Sequence, residues 1–478
     1  MKPIEEMTLQ ELYVALSSKG ANTRRQKRTK IDEKDEKEKP CTTLEIAEII
    51  KDTVPTVKIG GQIAIYNPEK GIYLSRYDYI FDLIHQVEPT ATKRKHIDVI
   101  FSLERIAPTA IENTDRCFVA VANGIYLRHK RTLVPFSPKY IFTNTIATNY
   151  NPDATSPNTF GLTVDDFISQ LMTDDKGNPD PEKIKTLWQV MSACICGESY
   201  RKAVFFIGNG NDGKGTIQQL ITNIIGAENV GNLKINLFDK RFMLYTVDGK
   251  RCIIGDDLQA GIYIEDSSNF NSMVTNDPVM IERKNSDPYF KIFNITIIQS
   301  TNEMPRFRNK SNGTDRRILP LFFHGAFKQT TGDNWKIKDE FIHLKEVKEY
   351  VLKKVLEMEF TEFHFPEESL KLLEEFRLEN DNVLAFLTDI ELDKIQSTVI
   401  PTSEFFKVYR AWCKSGEYQP ISHTVFSKAV DKHLFGKWEL KKAKTGRKFN
   451  PYDFEDIFRL NWNFEDEKKS LRCFVKFQ

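Results

Sequence analysis

In the stretch AVFFIGNGNDGKGTIQQLITNIIG, residues 203–226, an apolar run passes through a glycine-rich turn into an amphipathic run. A short, wholly apolar run ending in glycine reads as a strand buried on both faces. After the turn, Ile217, Leu220, Ile221, Ile224 and Ile225 recur at helical spacing, which predicts a helix with one buried side. The turn has the parts of a phosphate-binding loop. Glycines let backbone N–H groups face phosphate oxygens, the helix N-terminus favours an anion, and a lysine reaches the terminal phosphates.

Gly208, Gly213 and Lys214 fit the G-x-x-x-x-G-K pattern. The candidate ATP contacts are therefore Gly208, Asn209, Gly210, Asn211, Asp212, Gly213, Lys214, Gly215 and Thr216. One position departs from the pattern. The hydroxyl that normally follows the lysine and ligates Mg2+ is replaced by Gly215, and a hydroxyl arrives only at Thr216. The metal then falls to water, to Thr216 or to a carboxylate elsewhere.

Downstream, RCIIGDD and NITIIQSTN are two more apolar strands with polar residues at their carboxyl ends. A strand, loop and helix followed by buried strands predicts a parallel α/β sheet, whose ligands sit at the carboxyl ends of the strands. Asp256 and Asp257 supply the carboxylates that a magnesium nucleotide site requires, Asp256 toward the metal and its neighbour toward the attacking water. Asn302 follows the next strand, where its amide would reach a terminal phosphate or that water; a turn-forming asparagine is the plainer reading of the residue alone. Arg316 and Arg317, before another apolar run, offer a guanidinium to developing phosphoryl charge, with surface ion pairing as the alternative.

The remaining chain bounds these readings. An apolar share of 40% with 28% charged residues and a net charge of +1 is ordinary for a globular protein of 478 residues, with room for about three domains. No apolar stretch approaches a membrane span, and the start MKPIEEMTLQ has no secretory pattern. Seven scattered cysteines without a C-x-x-C pair predict reduced thiols in a cytoplasmic protein. TLQELYVALSSKG reads as a helix stopped at Gly20, and 24–39 as a solvated charged linker in which Arg24, Arg25, Lys27 and Arg28 are a weaker nucleic-acid alternative. The domains expected are an N-terminal α+β domain (1–118), a β-rich connector and helical collar (119–200), an ATPase core (201–365), and a linker helix with a small C-terminal domain (366–478). In that tail, KWELKKAKTGRKFN reads as a tight hairpin turning at Thr445-Gly446.

In this order, GNGNDGKGT, IIGDD, TNEMP and DRRILPLFF resemble the Walker A, Walker B, sensor and arginine-finger motifs of superfamily 3 replicative helicases of phages, plasmids and poxviruses, within the AAA+ class. The resemblance covers about 119–478, includes the stretch before the core and a winged-helix end, and extends to stand-alone replication helicases of staphylococcal mobile islands and cassettes. NDPVMIERKNSDPYFKI is similar to the family's pore hairpin, which makes Arg283 and Lys284 candidate DNA contacts. The resemblance implies ATP and Mg2+ as cofactors, a homohexameric ring, and translocation on single-stranded DNA, 3′ to 5′. It also implies a mobile-element setting with host or element replication proteins as possible partners. No primase site is visible in the N-terminus.

Residues 401–478 carry 16 Lys/Arg against 10 Asp/Glu. Lys441, Lys442, Lys444, Arg447 and Lys448 crowd one place after a helix pair, a layout suited to duplex DNA, although a solvated basic hairpin is the plain alternative. Three rival readings stand beside the helicase. They are an ATP-hydrolysing switch or loader that does not unwind, an interaction protein with a degenerate loop, and a small-molecule kinase, which leaves the hairpin, paired arginines and basic tail without a purpose.

Overall fold

The computed structural model describes residues 2–27, 38–284, 287–307, 314–325, 335–392, 394–416 and 418–477. The chain divides into two compact units. The first comprises Met1–Ile262, Ser267–Pro305 and Arg317–Pro366, and the second Tyr263–Asp266, Arg306–Arg316 and Glu367–Gln478.

The first unit opens with α1 (Leu9–Gln26) and α2 (Thr43–Lys51), each started by a reciprocal cap, Thr8 with Glu11 and Thr42 with Glu45. An antiparallel sheet of β1 (Thr56–Ile59), β2 (Gln62–Asn67) and β3 (Ile72–Leu74) follows, then α3 (Tyr77–Val87) and α4 (Lys93–Ile106). The expected stop at Gly20 is overturned, because α1 runs on to Gln26. Gly20 is required by packing instead: a Cβ there would lie 2.1 Å from the Val87 carbonyl oxygen. The start of the charge block is correspondingly structured. Arg24 donates to the Val87 carbonyl and lies 3.8 Å from the buried Glu88, and Lys27 pairs with Glu45. Residues 28–37 of the block, Arg28 included, lie outside the described residues.

A second antiparallel sheet, β4 (Phe118–Val121), β5 (Gly124–Leu127) and β6 (Thr132–Val134), precedes α5 (Val164–Leu171) and α6 (Pro181–Cys196). Thr163 and Asp166 cap α5. Asp180 caps α6, Pro181 fills its first turn, and Gly197 ends it at φ 71°.

The core then runs β7 (Ala203–Ile207), α7 (Lys214–Ile225), β8 (Val230–Asn232) and β9 (Cys252–Leu258). After β10 (Tyr263–Ile264), which belongs to the second unit, come α8 (Ser268–Thr275) and the hairpin of β11 (Pro278–Ile281) and β12 (Tyr289–Ile292). β13 (Thr296–Thr301), β14 (Arg306–Phe307, again of the second unit), β15 (Ile318–Phe322), α9 (Trp335–Asp339) and α10 (Lys345–Leu356) complete it. The five-stranded sheet has the order β15-β7-β13-β9-β8, and every pairing is parallel. This is the parallel α/β sheet expected. Ile217, Leu220, Ile221, Ile224 and Ile225 are all fully buried, in one apolar core with residues of α5, α6, α10, β7, β13 and β15.

In the second unit β10 pairs with β14, and α11 (Glu367–Asn380), α12 (Asn382–Asp389), α13 (Thr402–Ser415) and α14 (His423–His433) accompany a sheet of β16 (Val399–Pro401), β17 (Trp438–Lys444) and β18 (Ser470–Lys476). Phe386, Phe405, Tyr409 and Phe426 pack ring against ring at its centre. The expected tight hairpin is corrected here. β17 pairs with β18, Lys444 opposite Ser470, and Thr445-Gly446 leads into a short 3-10 turn rather than reversing the strand. Thr445 is fully buried, so packing fixes it where a hairpin tip would be exposed.

Among the described residues all seven cysteines are free, no helix is long and apolar enough to cross a membrane, and no group of three or more His, Cys, Asp or Glu could hold a metal ion.

Candidate functional site

In a parallel sheet the carboxyl ends of all strands lie on one edge. β7, β13 and β9 are adjacent, so the turn after β7, the residues after β13 and the end of β9 meet there. A cavity of about 420 Å3 opens at that edge, lined by Gly210 through Thr216, Asp256, Asp257, Ser300, Thr301 and Asn302. The structure thus brings together most of the residues named for the nucleotide site. Gly208 and Asn209 are not in the lining; Gly208 sits beneath it, accepting from the Lys214 ammonium at 2.9 Å through its carbonyl.

The loop's backbone turns left-handed at Gly210 (φ 87°), Asn211 (φ 52°) and Gly213 (φ 87°), and α7 starts at Lys214. Its hollow is filled from within. The Asp212 carboxylate, almost fully buried, accepts from Gly210 N at 3.1 Å and Lys214 N at 3.3 Å, and binds the Lys214 ammonium. Backbone N–H groups and a lysine converging on an oxyanion are the donor set that a phosphate needs. Here the Asp212 carboxylate occupies that donor set. Gly215 has open space around the position of a Cβ and no positive φ, so crowding does not explain the missing hydroxyl. Thr216 lines the cavity from the next helical position.

Asp256 and Asp257 owe their placement to an irregularity. Gln299 pairs with Gly255 and Thr301 with Leu258, so β9 spends one more residue than β13 over the same span. Asp257 takes φ 51°, and both aspartates are exposed at the cavity. Such bulges re-aim side chains beside functional sites. Gly255 is required because the Gln299 amide occupies the space of a Cβ, 2.3 Å away, while bonding Ile235 N and the Leu233 carbonyl. Ser300 receives the Gln218 amide, tying α7 to β13.

Other named residues lie elsewhere. Arg317 precedes β15, so it sits at the amino edge of the sheet, opposite the cavity; its side chain is half-buried. Arg316 belongs to the second unit and is exposed. Neither lines the cavity. Arg283 and Lys284 follow β11. The Arg283 guanidinium lies over the Tyr245 ring at 5.1 Å, and Lys284 is exposed. The hairpin is anchored at its loop end by Glu282, bonded twice by Arg241 at 3.1 Å, and along β12 by Asp248, which holds Tyr289 and Lys291. Burial, then the bond to Asp248, raises the Tyr289 hydroxyl well above its ordinary range, so it serves as a neutral donor. The hairpin's other face, Met280, Phe290 and Ile292, is exposed. Lys441, Lys442, Lys444, Arg447 and Lys448 are all exposed, the first three on β17.

Sequence reasoning missed Phe167, Leu171, Ser300, Thr301, Ile337, Lys338 and Asp339 of the cavity lining. Ser300 and Thr301 lie beside Asn302 at the end of β13, within a stretch already singled out, whereas no local motif marks the residues that arrive from α5 and α9.

Residues 206–317 match a family of unknown function (DUF5906), 82–169 the D5 N terminal like family, and 378–459 the poxvirus D5 protein-like family. The chain therefore carries D5-like segments before and after its core. No curated protein matches it. Among solved structures it is similar to the A form apo structure of the NrS-1 C terminal region. The TM-score is 0.52 and the identity 14%, over 92% of this chain and 100% of that one. Two further apo structures of that region match at TM-score 0.51 and 14% identity, covering 91% and 92% of this chain and all of theirs. At that identity the likeness establishes a shared fold.

Proposed function

We propose that this chain is an ATP-dependent DNA helicase and replication initiator of a mobile genetic element, acting as a hexameric AAA+ ring that moves 3′ to 5′ on single-stranded DNA. The carrying observation is the convergence of phosphate loop, bulged aspartate pair and Asn302 on one cavity. The D5-like segments support a replication-associated enzyme, and the sequence resemblance supports the ring.

The donor set fits a magnesium nucleotide. The loop already cradles a carboxylate, and Thr216 and Asp256, which line the same cavity, would hold the metal. When bound, Mg2+ would neutralise phosphate charge and fix the phosphates for displacement. Lys214 would exchange Asp212 for the terminal phosphates, Asp257 would accept a proton from the attacking water, and Asn302 would orient that water. Arg317 lies on the opposite sheet edge of its own chain, so as an arginine finger it would act on a neighbouring subunit's site. The exposed Phe290 and basic tip of the hairpin suit contact with a single strand, by stacking and phosphate neutralisation. The second unit's helices and basic β17 suit a winged-helix duplex contact.

Strand displacement on a forked duplex tests the reading. Wild type should displace the strand with ATP and Mg2+, and Lys214→Ala should lose at least about a hundredfold in rate, the scale of removing a preorganised electrostatic contact. ATP hydrolysis without displacement would favour a switch or loader.

A further inference from the structure

At the amino edge of the five-stranded sheet, opposite the cavity of Asp256 and Asn302, lies a second hollow of about 140 Å3. Its walls are the residues before β4, the end of α6, the turn before β9 and the end of β12. Four basic residues line it against three acidic ones, which leaves a positive surplus. Two of these residues are buried and incompletely satisfied. Arg251, immediately before β9, is 7% exposed. Its guanidinium donates from Nη1 to the Ile195 carbonyl of α6 at 3.1 Å, while Nε has no hydrogen-bond partner among the described residues. No carboxylate among the described residues forms an ion pair with it, although arginine is almost never buried unpaired. Burial pulls its pKa below the ordinary value, a cost that a bound anion would relieve. Glu198, 2% exposed, gives Oε1 to Arg128. Its Oε2 has no hydrogen-bond partner among the described residues, and Arg116 Nη1 stands 3.8 Å from it.

One wall thus lacks an acceptor and another lacks a donor. Water would satisfy both hydrogen bonds but would leave the guanidinium charge uncompensated. We propose that this hollow binds inorganic phosphate, whose oxygens accept from the Arg251 guanidinium while its P–OH donates to Glu198 Oε2. An ionised carboxylate only accepts, so it repels a fully ionised oxyanion and admits one that still carries a proton. Inorganic phosphate keeps a P–OH near neutral pH, whereas sulfate and a phosphodiester have none. The site is separate from the phosphate loop, which lies at the other edge of the sheet and carries no carboxylate of this kind for a P–OH to meet.

Calorimetry on the full chain at neutral pH compares phosphate, sulfate and dimethyl phosphate. Wild type should bind phosphate at least about tenfold tighter than either of the others. Arg251→Gln should weaken phosphate by about tenfold or more. Glu198→Gln, whose amide donates as well as accepts, should bring phosphate and sulfate within about twofold of each other. Should either variant melt early, the wild-type preference carries the test. Equal affinity for phosphate and sulfate overturns the assignment, as does no phosphate binding. Dimethyl phosphate bound as tightly as phosphate would mean that the hollow reads a diester backbone, and overturns it too. Phosphate binding that neither variant alters places the anion elsewhere on the chain and removes Arg251 and Glu198 from the site.

Discussion

At the scale of single residues, the centre of the site is Asp212. Its carboxylate holds two backbone N–H groups and the Lys214 ammonium, so on the proposed reading an incoming phosphate would meet a loop already satisfied by an internal anion. Hydrogen bonds to charged groups contribute about 1.5–3 kcal/mol each, so displacing this carboxylate costs affinity. Asp212→Asn keeps an acceptor oxygen for one of the two amides and removes the charge that binds Lys214 and would repel phosphate. ATP affinity by calorimetry should rise about tenfold, equivalent to about 1.4 kcal/mol. A fall in affinity would mean that the carboxylate is needed to shape the loop. Gly215, conspicuous in the sequence, is sterically unremarkable in the fold, since nothing crowds it. The sequence marks the loop, but the residue that fills it is known only from its hydrogen bonds.

At the scale of elements, periodicity is a sound guide where a face is buried, and boundaries shift where a distant chain segment intervenes. The helix of Ile217, Leu220, Ile221, Ile224 and Ile225 buries the predicted side. Gly20 shows the opposite case: glycine in a helical pattern reads as a stop, and here it admits the Val87 carbonyl. Gly20→Ala gains about 1 kcal/mol of helix propensity. Its Cβ would nevertheless meet backbone at 2.1 Å, and overpacking of this kind costs about 1–3 kcal/mol. Denaturant unfolding should therefore show net destabilisation, and a more stable variant would place the helix end back at Gly20. The β17 pairing is a similar case. Thr445-Gly446 has turn chemistry, yet the partner of β17 arrives from Ser470–Lys476. In the core, the bulge at Asp256-Asp257 depends on register against β13, which the local sequence does not encode.

At the scale of the molecule, charge is divided within a nearly neutral chain. The net charge is +1, while the exposed Lys441, Lys442, Lys444, Arg447 and Lys448 gather in the second unit. Replacing all five with Gln should weaken duplex DNA binding. The logarithmic salt dependence should flatten by about one unit for each phosphate no longer neutralised, and ATPase stimulation by single-stranded DNA should persist. Fluorescence anisotropy across a salt series reads the first effect; unchanged binding would remove β17 and its turn from the DNA surface. The sequence alone determined the alternation of buried strands and amphipathic helices, the glycine-rich turn, and the order of the aspartates, Asn302 and the arginines, because spacing and residue chemistry are local. Tertiary structure decided which of these meet. Parallel pairing carries the ends of β7, β9 and β13 to one edge and leaves Arg317 on the other, and packing brings α5 and α9 to the cavity. Strand order and helix packing are set by burial across long stretches of chain, so no motif could have announced them.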